Sequence, residues 1–587
     1  MKPMNRLKQI LINSKSSFER FPLPIFISIL AAIFFICGIY PEKLNEKFIR
    51  YGLISIFSVF LYLNIKLFSE GIQYSAKDES DKKKNKLFII SCYIISLPIV
   101  YAMSVVINLF KDGFKYDSAH VYFGVLFALF ICVFFISKIF YHNDYIAYAV
   151  NIYKNIIISF SYSIILFIGL SAIILTINLL LNAKISSKFY FYIFIVIFIP
   201  FNFLIFLSQL PKIQNPLNDY KFGSVFEKLI DFIVIPLCSI YAIILYIYFI
   251  KIIFTREVPQ NIISNLVVWY SLVCVGVLFI NKIIETDISK SFKKIMPIII
   301  LPLILFMFYS MCIRVSEYGL TPNRYYVIAG GIFSLLSMLY YIFYKDSSNI
   351  TIPIILVIVI LISTIGPQSA YNISLLSQEA RLYKILDKNK MLKGEIITPN
   401  KNLSEDDKKQ ILDITNYLNY RYQKSQLKYL GDGTKSFKQI FGFDIGDLNL
   451  SSEDEKAVSD MDNAYISATS LSEIDVSNYK TFTEIDTGQD QSENKNDKYT
   501  YKFEDNKCKI LYKKGKDFYP LLEINLKEIK DKLIVLKEEN SNINIDYLTI
   551  EGSKDNINYK VIFRDVFFNS MDDLKDFYLH LYLLTSE

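Results

Sequence analysis

A succession of apolar runs, each about as long as a bilayer core is thick and ending near residue 367, limits this chain to very few architectures. A helix rises about 1.5 Å per residue, so roughly 17–25 apolar residues cross the hydrocarbon. The first run, Phe21–Tyr40, follows Arg6, Lys8, Lys15 and Arg20 and ends in Tyr40-Pro41-Glu42-Lys43. With no small-residue cleavage pattern there, it reads as a retained span and not as a signal peptide. Ten more runs follow, beginning with Tyr51–Leu67, Leu87–Leu109 and Val121–Tyr141 and ending with Ile295–Ile313, Tyr325–Tyr344 and Ile350–Ile365. About eleven spans are therefore expected, the last interrupted by Pro353.

After residue 367 the chain returns to an ordinary soluble mixture, and the charge changes sign. Residues 1–369 carry a net +14 and residues 370–587 a net −7. Lys and Arg beside anionic lipid explain a basic membrane half, so the positive total is no reason to expect nucleic acid. Membrane lipids are the expected partners. Lys77, Lys82, Lys83, Lys84 and Lys86 crowd one loop and Lys290, Lys293 and Lys294 another. This bias predicts a cytoplasmic N-terminus, and eleven crossings then put the tail on the extracytoplasmic side.

Five regions are expected: an N-terminal cytoplasmic segment 1–20, a transmembrane domain 21–366, a helical juxtamembrane region 367–448, an acidic flexible linker 449–497 and a small α+β module 498–587. The fold class is thus an all-α polytopic membrane bundle followed by a helical segment and that module. Helical spacing covers Leu375–Leu386 and Leu403–Tyr420, with Ser404 and Asp407 placed as a capping pair. The linker holds twelve acidic and three basic side chains. In the module, alternation marks strands at Lys507–Tyr512, Ile543–Ile550 and Tyr559–Phe563, with helices expected at Leu526–Leu536 and Asp572–Leu584.

Motifs that carry chemistry are scarce. His120 and His142 bracket one run about 33 Å apart and cannot share a metal. His580 has no Cys or His at ligand spacing, so no metal or cofactor is expected. Six of the seven cysteines lie in apolar runs, where a lone Cys behaves as a small hydrophobe; only Cys508 falls in the soluble part. Gly431-Asp432-Gly433-Thr434-Lys435-Ser436 lacks the strand and spacing of a phosphate loop and reads as a solvated turn. Lys138, Asp231 and Lys251 stand near span ends, where snorkelling accounts for them. Prolines at 98, 200, 236, 297 and 302 punctuate spans, as neighbouring helices permit.

The most specific stretch is Arg314-Val315-Ser316-Glu317-Tyr318-Gly319-Leu320-Thr321-Pro322-Asn323-Arg324-Tyr325, between the ninth and tenth runs. Gly319 suits a turn, Thr321 a helix cap and Pro322 a first helical position. Arg324 breaks the pattern, because a cation in a helix's first turn opposes the macrodipole. It therefore needs an anionic partner, Glu317 or a lipid phosphate, with Arg314 competing for the same carboxylate. Arg324, Glu317, Arg314, Asn323 and Tyr318 are the candidate interaction residues; none is assigned a catalytic role.

Three stretches give the chain a family likeness: Phe18-Glu19-Arg20-Phe21-Pro22-Leu23, Tyr318 to Tyr325, and Gly366-Pro367-Gln368-Ser369-Ala370 followed by Ser377-Gln378-Glu379-Ala380-Arg381-Leu382. Together they resemble the bacterial multi-pass membrane family catalogued as domain of unknown function 4153, over roughly residues 18–445. The resemblance implies a polytopic protein of the bacterial cytoplasmic membrane and transfers no catalytic residue. The expected role is a non-catalytic envelope platform or sensor that presents its C-terminal module to an envelope protein. A transporter or lipid-handling carrier is the alternative, and a membrane-embedded enzyme using carboxylates such as Glu317 the third reading.

Overall fold

Where the sequence runs apolar, it folds as helix. The computed structural model describes residues 15–39, 45–76, 78–108, 116–142, 144–181, 185–213, 224–255, 262–344, 349–394, 396–422, 427, 437–443, 464–467, 476–487, 498–504, 507–514, 517–526, 528, 549–554, 557–568 and 577–586. The successive apolar helices are α1 (Pro22–Ile39), α2 (Glu46–Ser75), α3 (Glu79–Asn108), α4 (Tyr116–Cys132), α5 (Tyr145–Leu181) and α6 (Lys188–Ser208). They continue with α7 (Phe226–Ile252), α8 (Ile262–Asn281), α9 (Asp287–Tyr318), α10 (Pro322–Phe343) and α11 (Thr351–Thr364). Among the described residues nine are long and apolar enough to cross a membrane, while α4 and α11 are shorter. Length alone therefore does not fix the count at eleven.

The run Val121–Tyr141 is not one continuous helix. Its helix stops at Cys132, and the chain passes through turns into a 3₁₀ segment, Ile136–Lys138. Two of the punctuating prolines coincide with π-helical turns, at Ile197–Phe201 in α6, which contains Pro200, and at Ile230–Val234 in α7, just before Pro236. A proline has no N–H for the carbonyl four residues back and crowds it, and a wider turn relieves that crowding.

Small residues let these helices approach closely. A Cβ on Gly71 would lie 2.5 Å from the Ser137 carbonyl oxygen, and one on Gly124 would overlap the Thr364 side chain. The largest apolar cluster centres on α9, whose Ile300, Leu303, Ile304 and Met307 are fully buried against residues of α7, α8, α10 and α11.

The chain divides into two compact units, residues 1–383 with 421–426, and residues 384–420 with 427–587. Helix α12 (Ala370–Lys388) runs from the first into the second and covers the expected Leu375–Leu386; α13 (Glu405–Arg421) covers Leu403–Tyr420. The Asp407 N–H donates to Ser404 Oγ at 3.2 Å, as the capping pair predicts. The Asp407 carboxylate accepts from Lys388 Nζ at 2.9 and 3.1 Å and from Asn389 Nδ2 at 3.2 Å. Burial raises this carboxyl, but the bonds from Lys388 and Asn389 and the Ser404 hydroxyl outweigh it and hold it below its ordinary value.

A carboxylate so held contributes stability above its unfolded pKa and loses it as pH falls through the folded one. Thermal unfolding is therefore expected to show a loss of stability when pH is lowered below about 4. Asp407→Asn should lower stability at neutral pH and flatten that part of the dependence. An acid response identical in the two proteins would contradict this assignment.

After α12, β1 (Leu392–Lys393) and β2 (Ile396–Ile397) pair antiparallel, and the strands described in the C-terminal module are all antiparallel as well. One sheet has the order β3 (Ala464–Ser467), β9 (Ile557–Phe568), β10 (Phe577–Thr585), β4 (Thr481–Asp486), with β8 (Thr549–Lys554) also pairing β9. The second has the order β5 (Tyr499–Glu504), β6 (Lys507–Lys514), β7 (Asp517–Asn525). Both contribute to one core, in which Ile510, Val561, Leu579, Leu581 and Leu583 are fully buried. Burial pushes the Cys508 thiol in this core up to about 12.

Two expectations change here. Residues 577–585 form a strand and not a helix, because Leu579, Leu581 and Leu583 alternate on one face with His580 and Tyr582 on the other. The segment 449–497, expected as a linker, supplies β3 and β4, whose pairing with β9 and β10 makes them part of the module. The helix expected at Leu526–Leu536 and the turn Gly431–Ser436 fall almost wholly or wholly outside the described residues.

Candidate functional site

Helix α9 ends at Gly319, whose φ of +68° favours glycine and whose N–H still reaches the Val315 carbonyl at 3.0 Å. Thr321 takes the N-cap position of α10 with extended backbone and Pro322 follows at its first turn, although the Thr321 side chain makes no cap bond. The short turn between two antiparallel helices leaves the carbonyls of Tyr318, Gly319 and Leu320 without helical partners. Side chains satisfy all three.

Arg324 Nη1 donates to the Gly319 carbonyl at 2.6 Å and to that of Tyr318 at 3.2 Å. From α12, Gln378 Nε2 donates to the carbonyls of Tyr318 at 3.0 Å and Leu320 at 3.1 Å. Arg381 Nη1 lies 3.4 Å from the Tyr318 carbonyl, and Ser377 Oγ accepts the Leu320 N–H at 2.8 Å. The Tyr325 hydroxyl donates to the Gln368 carbonyl at 2.7 Å. Both guanidiniums also approach the Tyr318 ring, at 5.6 Å for Arg324 and 6.0 Å for Arg381. Two of the sequence stretches quoted above, Tyr318 to Tyr325 and Gly366 to Leu382, thus close on one another as a polar joint.

The joint resolves the electrostatic objection to Arg324. Its cation stands in the first turn of α10 but beside the last turn of α9, the negative end of that helix dipole. Among the described residues its acceptors are backbone carbonyls, where a carboxylate was expected. Glu317 is exposed and, among the described residues, no side chain pairs with it. Asn323 is exposed and Arg314 half-buried, and neither donates to the three carbonyls.

A family model described as Domain of unknown function (DUF4153) matches residues 80–394, more than half of the chain and including the whole joint. The chain belongs to that family. No curated protein and no solved structure matches it. Within the DUF4153 region lie the two stretches that meet in the joint, whereas Phe18 to Leu23 precedes it. The protein is an integral membrane protein of unestablished activity.

Three further polar groupings in this DUF4153 protein are buried or partly buried, and spacing in the sequence announced none of them. Arg20 forms a bidentate pair with Glu70, at 3.0 and 2.6 Å, and also donates to the Leu210 and Pro211 carbonyls. Lys138 Nζ meets Asp144 Oδ1 at 2.8 Å with both side chains shut off from solvent, so Lys138 does not snorkel. Asp231, 4% exposed, accepts from Ser289 Oγ at 2.8 Å and does not snorkel either. Lys251 alone of the three is exposed. The signal for Lys138 lay in the turn that follows it, where Asp144 adopts a φ of +56°.

Among the described residues no three His, Cys, Asp or Glu side chains gather as a metal set. His142 Nδ1 lies 3.1 Å from the Lys138 carbonyl, and His580 Nε2 pairs with Glu484 at 2.6 Å across β10 and β4. His120 stacks on Tyr371 at 4.2 Å, joining α4 to the start of α12. What the joint does chemically is donate hydrogen bonds to main-chain carbonyls.

Proposed function

We propose that this DUF4153 protein is a non-catalytic membrane platform. Its membrane domain fixes the root of α12, and the chain beyond carries the β-strand module to an envelope protein partner. The observation behind this reading is the commitment of Arg324, Gln378 and Arg381 to backbone carbonyls. A site built for substrate presents its donors to a vacant space, whereas these close a joint between a helical turn and the first helix of the tail. Eleven spans, a cytoplasmic N-terminus and an extracytoplasmic tail in the bacterial cytoplasmic membrane complete the proposal, supported by the loop lysines.

A lipid-handling carrier is the second reading, favoured by the two π-helical turns inside α6 and α7. The platform topology has a direct test. Protease added to intact right-side-out spheroplasts should remove the strand module and leave a membrane-bound fragment. Cleavage only after the membrane is breached would place the tail in the cytoplasm and overturn the topology.

A further inference from the structure

Helices α1, α2, α4, α5 and α6 surround a cavity of about 180 Å³ whose walls include Ser28, Phe60, Phe130, Ser159, Phe198 and Asn202. It exceeds the roughly 150 Å³ apolar cavity that takes up a benzene molecule. Ser28 and Ser159 spend their hydroxyls on the Ile25 and Ile156 carbonyls of their own helices. Asn202 is different: it is 6% exposed, lines the cavity and makes no side-chain hydrogen bond among the described residues. Its amide opens onto the cavity, and an unpartnered amide in apolar surroundings is costly unless something completes it. It stands immediately after the π-helical turn at Ile197–Phe201, which turns this part of α6 toward the cavity's edge.

We infer that this cavity binds the ester-proximal part of one acyl chain of a phosphoglycerolipid, with the ester carbonyl accepting from Asn202 Nδ2. The aromatic and aliphatic walls suit hydrocarbon, and a single amide suits a single carbonyl. Depth agrees with this occupant. Asn202 lies six residues before the end of α6 at Ser208, about 9 Å along the axis. Arg20 bridges Glu70 of α2 and the Leu210 carbonyl just past α6, so these two positions stand at about the same level. An equal step along α2 from Phe60 reaches half-buried Lys66, 3.8 Å from Glu70, and exposed Lys212 follows Ser208. A phosphate attached above the ester would meet these two cations.

The test uses the full chain in nanodiscs containing phosphatidylglycerol with a photoreactive diazirine on one acyl chain. After illumination, peptides are mapped by mass spectrometry. Label should concentrate on residues that line the cavity, and Ile56→Trp, which fills it, should reduce that label about tenfold. Ile199→Trp serves the same purpose if the first variant does not fold. Asn202→Leu should reduce it about three- to tenfold, the worth of one hydrogen bond, and an ether-linked probe without the carbonyl should label wild type equally poorly. Label spread evenly over exposed positions of α3 and α5, or cavity label unchanged in the filled variants, would show annular lipid only and overturn the inference. Ester and ether probes that label alike would remove the role of Asn202.

Discussion

Replacing Asp144 with Asn is expected to destabilise the membrane domain by about 3–5 kcal/mol, because it strands the Lys138 ammonium in a site closed to water. The side chains are 2% and 0% exposed and meet at 2.8 Å, and the Tyr141 and Tyr148 rings lie 5.4 and 5.6 Å from the Lys138 Nζ. Asn tolerates the left-handed backbone of position 144 as Asp does, so the loss reports charge and not strain. Lys138→Met combined with Asp144→Asn should recover most of the loss, since a neutral pair has no charge to desolvate. The exposed pair Lys82–Glu79 is the control. Its disruption should cost no more than about 1 kcal/mol. Thermal unfolding in detergent reads all four proteins, and equal losses at the two pairs would mean that the Lys138 site is hydrated.

The second large effect is expected at the joint. Arg324→Gln should cost about 1.5–3 kcal/mol, as a charged donor to two carbonyls is lost. Gln378→Leu should cost about 1–3 kcal/mol, because it leaves the Leu320 carbonyl buried without its donor. Both side chains share the Tyr318 carbonyl, so the double variant should depart from additivity by at least about 0.5 kcal/mol. Glu317→Gln should change stability by less than about 0.5 kcal/mol. A large loss there, rescued by Arg324→Gln, would restore the carboxylate as the partner. Gly319→Ala should also destabilise, since the positive φ disfavours a side chain and the new Cβ would lie 2.7 Å from Gln378 Nε2.

Much of this was legible in the sequence. Apolar length marked the helices because the bilayer imposes length directly. The Gly319 turn, the Pro322 start and the Ser404 cap are local, and each appears where its residue type requires it. Arg324 was visible as an anomaly, yet its partner was not. A search for charge finds Glu317, whereas the acceptors are main-chain carbonyls, which every sequence contains. Gln378 and Ser377, some 60 residues away, are uncharged and carried no signal beyond their family likeness.

The remaining misreadings have physical causes as well. Leu579, Leu581 and Leu583 alternate strictly, but leucine also favours helices. In β4, Thr481, Thr483 and Glu484 made a paired strand look like linker, because only Ile485 of that strand is buried. The buried pairs Arg20–Glu70 and Lys138–Asp144 depend on the approach of different helices or on a left-handed turn. Apolar periodicity records neither.

Hydrogen–deuterium exchange of the intact protein and of Gln378→Leu tests the central claim, that the shared stretches form a structural joint between the turn after α9 and helix α12. Segments 316–325 and 370–383 should both be protected in wild type and should lose protection together in the variant, because each satisfies the other's polar groups. If 316–325 stays protected while 370–383 exchanges freely, the two segments are not coupled, and the joint is not what holds them.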